Sequence, residues 1–387
     1  MPQTRYILVT ALLLANQVAA ADPDAEALRK LEQLLALPDW NVTTTLGAGA
    51  GYRDNLLLSP TQPAASGFAR GNADVMLLRL PAGGFDGYAF FSAEETRYFS
   101  TAKTDHERAV FLLMEARWQP SAAWKFSLPV QAYHVDQVVD VSATEAVLDT
   151  AELKVTGFTA GPTARWNFTP GWWAEVKVSA RKDHFADDVD GYLESEGLLR
   201  IGRDWKSGSG FRLAGTSGWR DHDSRPQYTL GGRPLAGTHL KFRQNEASAH
   251  LELVADEKKR WRTKLTAQVE QNRDNGSGYF DFNQRRFAAG LDWRQDPWAV
   301  EFTASMAYYN FPNQLVGIGI TPETRHKNDY QAGLEVTRRL TPSLSLKASY
   351  EWERALSNDD RSRFRINTVY LGLQWSWDNL GMTDPAR

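Results

Sequence analysis

Seven histidines occur in this chain, His106, His134, His184, His222, His239, His250 and His326. Imidazole is the side chain best suited to exchange a proton near neutral pH, and two of the seven have acidic neighbours, in Asp183-His184 and Asp221-His222-Asp223. A carboxylate beside an imidazole suggests general acid–base chemistry, such as hydrolysis. Nothing around the two runs extends that chemistry. There is no His-x-x-x-His pair for a metal, no Gly-x-Ser-x-Gly elbow for a nucleophile, and no cysteine. Both runs also fall where rims or loops are expected, so the chain is read as non-enzymatic, with no metal and no cofactor. A loop-borne hydrolase using His222 is retained as the least favoured alternative.

The charges are better placed for a different task. They recur at every second position opposite apolar residues, as in Leu344, Leu346, Ala348, Tyr350 and Trp352 against Ser345, Lys347, Ser349, Glu351 and Glu353. A strand turns successive side chains to opposite faces, so this alternation builds a wall with one apolar and one watery face. Taking the face opposite the apolar one assigns Arg181, Arg200, Arg212, Arg262, Lys264, Glu301, Glu335, Arg339, Lys347 and Glu351 to a water-filled lumen. Both signs are interspersed there, so no single-sign wall selects one ion class. Arg181, Arg200, Arg212, Arg262 and Lys264 make the denser basic region, which would favour an anionic solute.

The elements that must position these residues are sixteen predicted strands, at 41–53, 71–80, 86–99, 106–118, 122–137, 150–168, 172–185, 192–205, 210–221, 240–255, 259–272, 282–294, 297–310, 327–340, 343–356 and 363–377. Pro129 removes one ladder donor, and a bulge is expected there. Alternate connections are short and rich in turn formers, for example Pro81-Ala-Gly-Gly84, Thr169-Pro-Gly171 and Gln295-Asp-Pro297. The others are longer and polar, notably 54–69, 222–239 and 311–326, and these are expected to narrow the mouth. None is long enough to suggest a deep in-folded loop. Tight turns at one end and longer loops at the other fit a membrane barrel. Tryptophan follows the same division: Trp118, Trp124, Trp172, Trp293, Trp298, Trp375 and Trp377 fall beside short turns or the chain end, where an aromatic girdle would meet the bilayer interface.

The fold class expected is all-β, a transmembrane antiparallel up-and-down barrel of about 16 strands (14–18), with a short N-terminal periplasmic helix. Mean hydropathy is −0.47 and net charge −3, which suits a wall with only alternate residues facing lipid and leaves no basic footprint for nucleic acid. Residues 1–21 have a secretory pattern: Arg5, then an apolar stretch from Ile7 to Ala15, then small residues ending at Ala21. Leu28, Leu31 and Leu35 share helical spacing, so 22–38 is expected to hold a periplasmic helix that caps the barrel mouth or trails as a tail, with a plug or a docking helix for an envelope partner as the alternatives. The barrel is assigned to 39–378 and a periplasmic tail to 379–387.

Two stretches carry resemblances. Tyr370-Leu-Gly372-Leu-Gln-Trp375-Ser-Trp377 resembles the terminal signal by which Gram-negative outer-membrane barrels are recognised for assembly. It departs from that pattern in being followed by Asp378 to Arg387. Gly51-Tyr52-Arg53-Asp54-Asn55-Leu56-Leu57 is similar to the first strand of putative porins and exopolysaccharide-locus outer-membrane barrels, with Arg53 in place of the usual acid and Leu57 in place of Phe. The resemblances imply a bacterial outer-membrane location with both termini periplasmic, and as partners lipid, the barrel assembly machinery through Tyr370–Trp377, and a small polar solute or a polysaccharide. The function expected is passive passage of small polar solutes through a mixed-charge lumen. The alternatives are a conduit for exopolysaccharide export, with Tyr133, Trp173 and Tyr309 stacking on sugars, and a plugged structural or adhesive barrel.

Overall fold

The structure is a computed structural model that describes residues 39–100, 104–140, 150–186, 190–317 and 322–379. The expected signal segment, the N-terminal helix and all but the first residue of the tail lie outside these residues. Seventeen strand segments form one sheet, and two of them are halves of a single interrupted strand, leaving sixteen. In chain order these are β1 (Trp40–Arg53), β2 (Ser66–Ala82), β3 (Phe85–Tyr98), β4 (His106–Trp118), β5 (Trp124–Asp140), β6 (Thr150–Ala160 with Thr163–Thr169), β7 (Trp172–Phe185) and β8 (Tyr192–Asp204). The ring continues through β9 (Gly210–His222), β10 (Lys241–Val254), β11 (Trp261–Asp274), β12 (Phe282–Gln295), β13 (Trp298–Val316), β14 (Glu323–Arg339), β15 (Leu344–Ser357) and β16 (Phe364–Asp378). Each strand pairs antiparallel with its neighbours. β1 pairs with both β2 and β16, with Gly49 opposite Gly372, so the sheet closes and leaves no edge.

The alternation read from the sequence sets the two faces. Outward residues are large, apolar and exposed, among them Val178 at 60%, Leu199 at 62% and Leu371 at 56%. Burying such a surface in lipid is what a spanning barrel requires; in water it would be a severe aggregation liability. Buried apolar side chains form separate clusters rather than one continuous core, the largest being Phe111, Tyr133, Leu153, Val155, Phe185 and Tyr192 on β4–β8.

The short-turn end carries a chain of rings. Phe85, Trp118, Phe126, Trp124, Trp166, Phe168, Trp172, Phe211 and Trp205 follow one another at centroid separations of 5.3–6.5 Å. Trp118, Trp124, Trp298, Trp375 and Trp377 are exposed on the exterior, and Trp293 sits opposite Trp261.

Three local expectations change. No register shift occurs at Pro129, which pairs with Glu115. Instead β6 is interrupted at Gly161-Pro162 directly beside it, where the Gly161 N–H donates to the Pro129 carbonyl at 3.2 Å. Two prolines in adjacent strands remove donors at one level, so the ladder parts without gaining a residue. The expected loop at 311–326 is mostly strand: β13 runs to Val316 and β14 starts at Glu323, with a shift between Phe311 and Leu315. At 54–69 the loop is shorter than expected, since Ser66 already pairs with Arg53.

The loops after β9, β11, β13 and β15 are laced together. A short hairpin, Gln227–Tyr228 with Pro234–Leu235, places the Tyr228 ring on Tyr279 and Phe280. Asn313 Nδ2 donates to the Gly278 carbonyl at 3.0 Å and Gln314 Nε2 to that of Tyr279 at 2.8 Å. Arg325, fully buried, joins the set by donating to Gln314 Oε1 and Ser362 Oγ with its guanidinium 4.4 Å from the Phe311 ring. Beyond it, Asp359 caps a 3₁₀ turn, Asp360–Ser362. Burial opposes ionisation of Asp359, yet the Arg361 guanidinium and backbone N–H hold its carboxyl below the usual range.

Candidate functional site

Residues directly paired on neighbouring strands share a face, so one inward residue places a whole row. The row Gly290–Thr303–Gly333–Glu351–Thr368–Arg53–Ser66 runs from β12 through the closing seam to β2. Its face is the interior, because Arg53 on it and Glu107, which the pairing places on the same face, meet although their strands are not neighbours. Lys327 Nζ on β14 lies 2.5 Å from Asp140 Oδ2 on β5, nearly opposite in the ring, and Arg53 Nη1 on β1 lies 3.1 Å from Glu107 Oε2 on β4.

By the same reckoning, the ten residues assigned to the lumen from sequence share this inward face. The structure gives them partners mostly along the wall. Arg200 meets Glu175 at 2.7 Å, Arg262 meets Glu252 at 3.2 Å, Lys264 meets Asp292 at 2.7 Å, and Lys347 meets Glu335 at 2.8 Å. Each of these joins adjacent strands. Arg339 pairs with Asp296 of a short turn. Arg181 holds Asp183 Oδ2 at 2.5 Å and donates to the Tyr133 hydroxyl at 2.6 Å, making a buried triad against the apolar cluster on β4–β8. Glu301 stands between Asp292 and Glu335, a row of three carboxylates. Glu351 lies between Gly333 and Thr368, exposed to the lumen, and Arg212 lies opposite His250. The dense basic region expected from sequence is therefore largely neutralised: four of its five cations sit on carboxylates.

Three of the four residues in the two ties, Lys327, Asp140 and Glu107, are not singled out in the sequence. Lys327, 4% exposed, also meets Asp329 at 3.0 Å and stands 5.9 Å from the Tyr309 ring. Glu107, 8% exposed, accepts from Arg53, from the Tyr98 hydroxyl at 2.7 Å and from the Val138 N–H at 3.3 Å. Val138 and Asp140 belong to the last turn of pleat in β5, so the end of this strand leans inward and is held by both ties. Neither the loop at 54–69 nor that at 222–239 supplies them. A signal for this level was present in β1, whose inward positions Gly47, Gly49 and Gly51 carry no side chain. A Cβ at Gly49 would stand 2.7 Å from the Tyr370 ring, and one at Gly51 would collide with Phe68. Those two rings lie parallel, 6.5 Å apart, with the Arg70 guanidinium 5.2 and 5.4 Å from them.

In neither run do the sequence-adjacent acid and imidazole face each other; His222 Nδ1 instead lies 3.7 Å from Asp190 and Asp221 lies 3.5 Å from His239. Strand parity sends neighbours to opposite faces: Asp183 is fully buried inward while His184 is exposed on the exterior. His222 is packed edge-on between Tyr192 and Phe242, while Asp221 turns outward to Lys241 at 2.7 Å and Asp223 to Lys182 at 2.5 Å. Among the described residues no cluster of three or more His, Cys, Asp or Glu is arranged to hold a metal. The three rings considered for sugar stacking are engaged elsewhere. Trp173 lies under the Arg165 guanidinium at 4.1 Å and donates to Asp204 at 3.0 Å, Tyr133 stacks on Phe111 in the triad, and Tyr309 stacks on Phe311.

No family model matches the chain, and no curated protein does. Among solved structures it is similar to OccAB1 of Acinetobacter baumannii, with TM-score 0.46, 10% identity, and 89% of this chain and 97% of that one covered. OprB of Pseudomonas putida gives TM-score 0.47 and 10% identity over 91% and 97% of the two chains. A bacterial polysaccharide outer membrane secretin gives TM-score 0.44 and 8% identity over 88% and 99%.

Proposed function

We propose that the protein is an outer-membrane channel through which small polar solutes pass passively, and that the Lys327–Asp140 and Arg53–Glu107 level is its constriction. The observation that carries this is a closed sixteen-strand wall, apolar outside and charged inside. A barrel of this size leaves an aqueous lumen rather than a packed interior. Below the constriction the wall offers paired charges of both signs, which hydrate a passing solute without holding it. Above it, the laced loops frame the mouth.

An outer-membrane location is supported by the barrel and its lipid-suited exterior, since closed barrels and helices are the structures that satisfy every backbone group within a bilayer. In this reading both termini face the periplasm, the short turns lie there, and Tyr370–Trp377 serves as the assembly signal. That segment forms the closing strand, with Leu371, Leu373, Trp375 and Trp377 on the exterior. Passage of a polysaccharide is less well supported, because Tyr133, Trp173 and Tyr309 already have partners.

The test is single-channel conductance of the refolded protein in planar bilayers. A steady ohmic conductance with weak ion selectivity is expected. A folded barrel that conducts nothing would overturn the channel reading.

A further inference from the structure

The exterior of the loop rim carries many bases, and most are neutralised. Arg97 and Arg108 both meet Glu95, at 2.7 and 3.5 Å, and Lys182 and Lys241 take Asp223 and Asp221. Arg243 stands directly opposite Arg273, but Arg273 is occupied, donating to the carbonyls of Asn272 and Phe282 and to Asn283 Oδ1. One place differs. Arg354 on β15 and Arg365 on β16 are direct cross-strand partners on the outward face, both exposed, and among the described residues neither has a carboxylate partner. Asp54 of the adjoining segment is committed to Asn367, two residues from Arg365, accepting from its backbone N–H at 2.7 Å and from its side chain at 2.5 Å. Like charges directly opposite each other on a sheet are destabilising, so an anion between the two guanidiniums would relieve the pair.

Its height supplies the anion. Arg365 and Trp375 share the outward face of β16 ten residues apart, and roughly 3.3 Å per residue at a tilt of about 35–45° puts Arg365 about 23–27 Å along the membrane normal from the Trp girdle. The apolar band of such barrels is about 25 Å tall, so both guanidiniums stand at headgroup level. Immediately below them are Trp352, facing Asn367, and Tyr350, whose hydroxyl donates to Asn367 Oδ1 at 2.8 Å.

We infer that Arg354 and Arg365 form a site on the lipid-facing wall for the phosphate of a headgroup in the leaflet at the loop rim. Two neighbouring guanidiniums offer a phosphate forked, charge-assisted hydrogen bonds, and the aromatic pair beneath receives the start of the acyl region. The site rests on the membrane reading given above.

The test titrates the folded full chain in detergent with phosphorylated lipid A and with the same lipid after phosphate removal, counting bound lipid by native mass spectrometry. Wild type should bind the phosphorylated form about tenfold or more tightly, and Arg354→Gln/Arg365→Gln should lose that preference. Arg97→Gln, which removes a base already paired with Glu95, should keep it. Heat-modifiable migration identifies folded protein, and the single variant Arg354→Gln carries the same comparison if the double variant does not fold. Equal binding of both lipids by wild type, or an undiminished preference in the folded variants, overturns the site alone. Failure of wild type to insert into liposomes overturns the membrane reading and the site with it.

Discussion

The lumen wall solves the same problem, placing charges inside a barrel, in two ways, and near the loops both occur, since Arg220 and Glu194 pair there on adjacent strands at 2.7 Å. Towards the short turns, ion pairs lie flat along the wall between adjacent strands, as in Arg200–Glu175, Lys264–Asp292 and Lys347–Glu335. Towards the loops, Lys327–Asp140 and Arg53–Glu107 join strands that are not neighbours. Flat pairs range from part-hydrated, as Lys347 and Glu335 at 34% and 38% side-chain exposure, to nearly dry, as Lys264 and Asp292 at 16% and 12%. The crossing ties are dry, with Lys327 at 5% and Glu107 at 9%. Flat pairs leave the bore open and contribute little to stability, whereas crossing ties occupy the bore and leave a costly buried charge when one partner is lost.

The sharpest way to break this contrast is Lys327→Gln, which removes the buried ammonium that Asp140 and Asp329 share. Losing one partner of a buried pair costs about 3–5 kcal/mol, so the urea midpoint of the folded barrel should fall sharply. An unchanged midpoint would place Lys327 in water. Next in size is Leu371→Arg on the outer wall, where a charge facing mid-membrane costs about 2–4 kcal/mol and should impair assembly into liposomes. Normal heat-modifiable folding of that variant would count against the face assignment on which both kinds of pair rest. Smallest is Lys347→Gln, which should change stability by no more than about 1 kcal/mol and leave conductance near wild type, because its pair is half-exposed and lies along the wall.

The flat pairs are legible in the sequence and the crossing ties are not, for one physical reason. A period of two fixes the face of every strand residue, and short turns fix which strands are neighbours, so the alternation alone puts Lys347 and Glu335 inside on adjacent strands. A crossing tie depends on how far the end of a strand leans over the lumen, which periodicity does not encode. Asp140 sits at the end of β5, and Lys327 reads as the edge of a loop because the run of Asn310, Pro312, Asn313 and Gln314 ahead of it has loop composition. In the structure those residues extend β13 and lace the mouth, lifting Lys327 into the wall. The Gly47, Gly49 and Gly51 series marks a level where rings lie flat, but not which charges meet there.

A charge exchange at the crossing tie tests the account most directly. Single-channel conductance is compared for wild type, Lys327→Asp, Asp140→Lys and the double exchange in the same bilayer and salt. If the tie forms the constriction, each single variant sets like charges against each other and raises or destabilises the conductance, while the double exchange returns it towards the wild-type value. Conductance that is the same in all four would contradict the claim that this pair spans the conducting path.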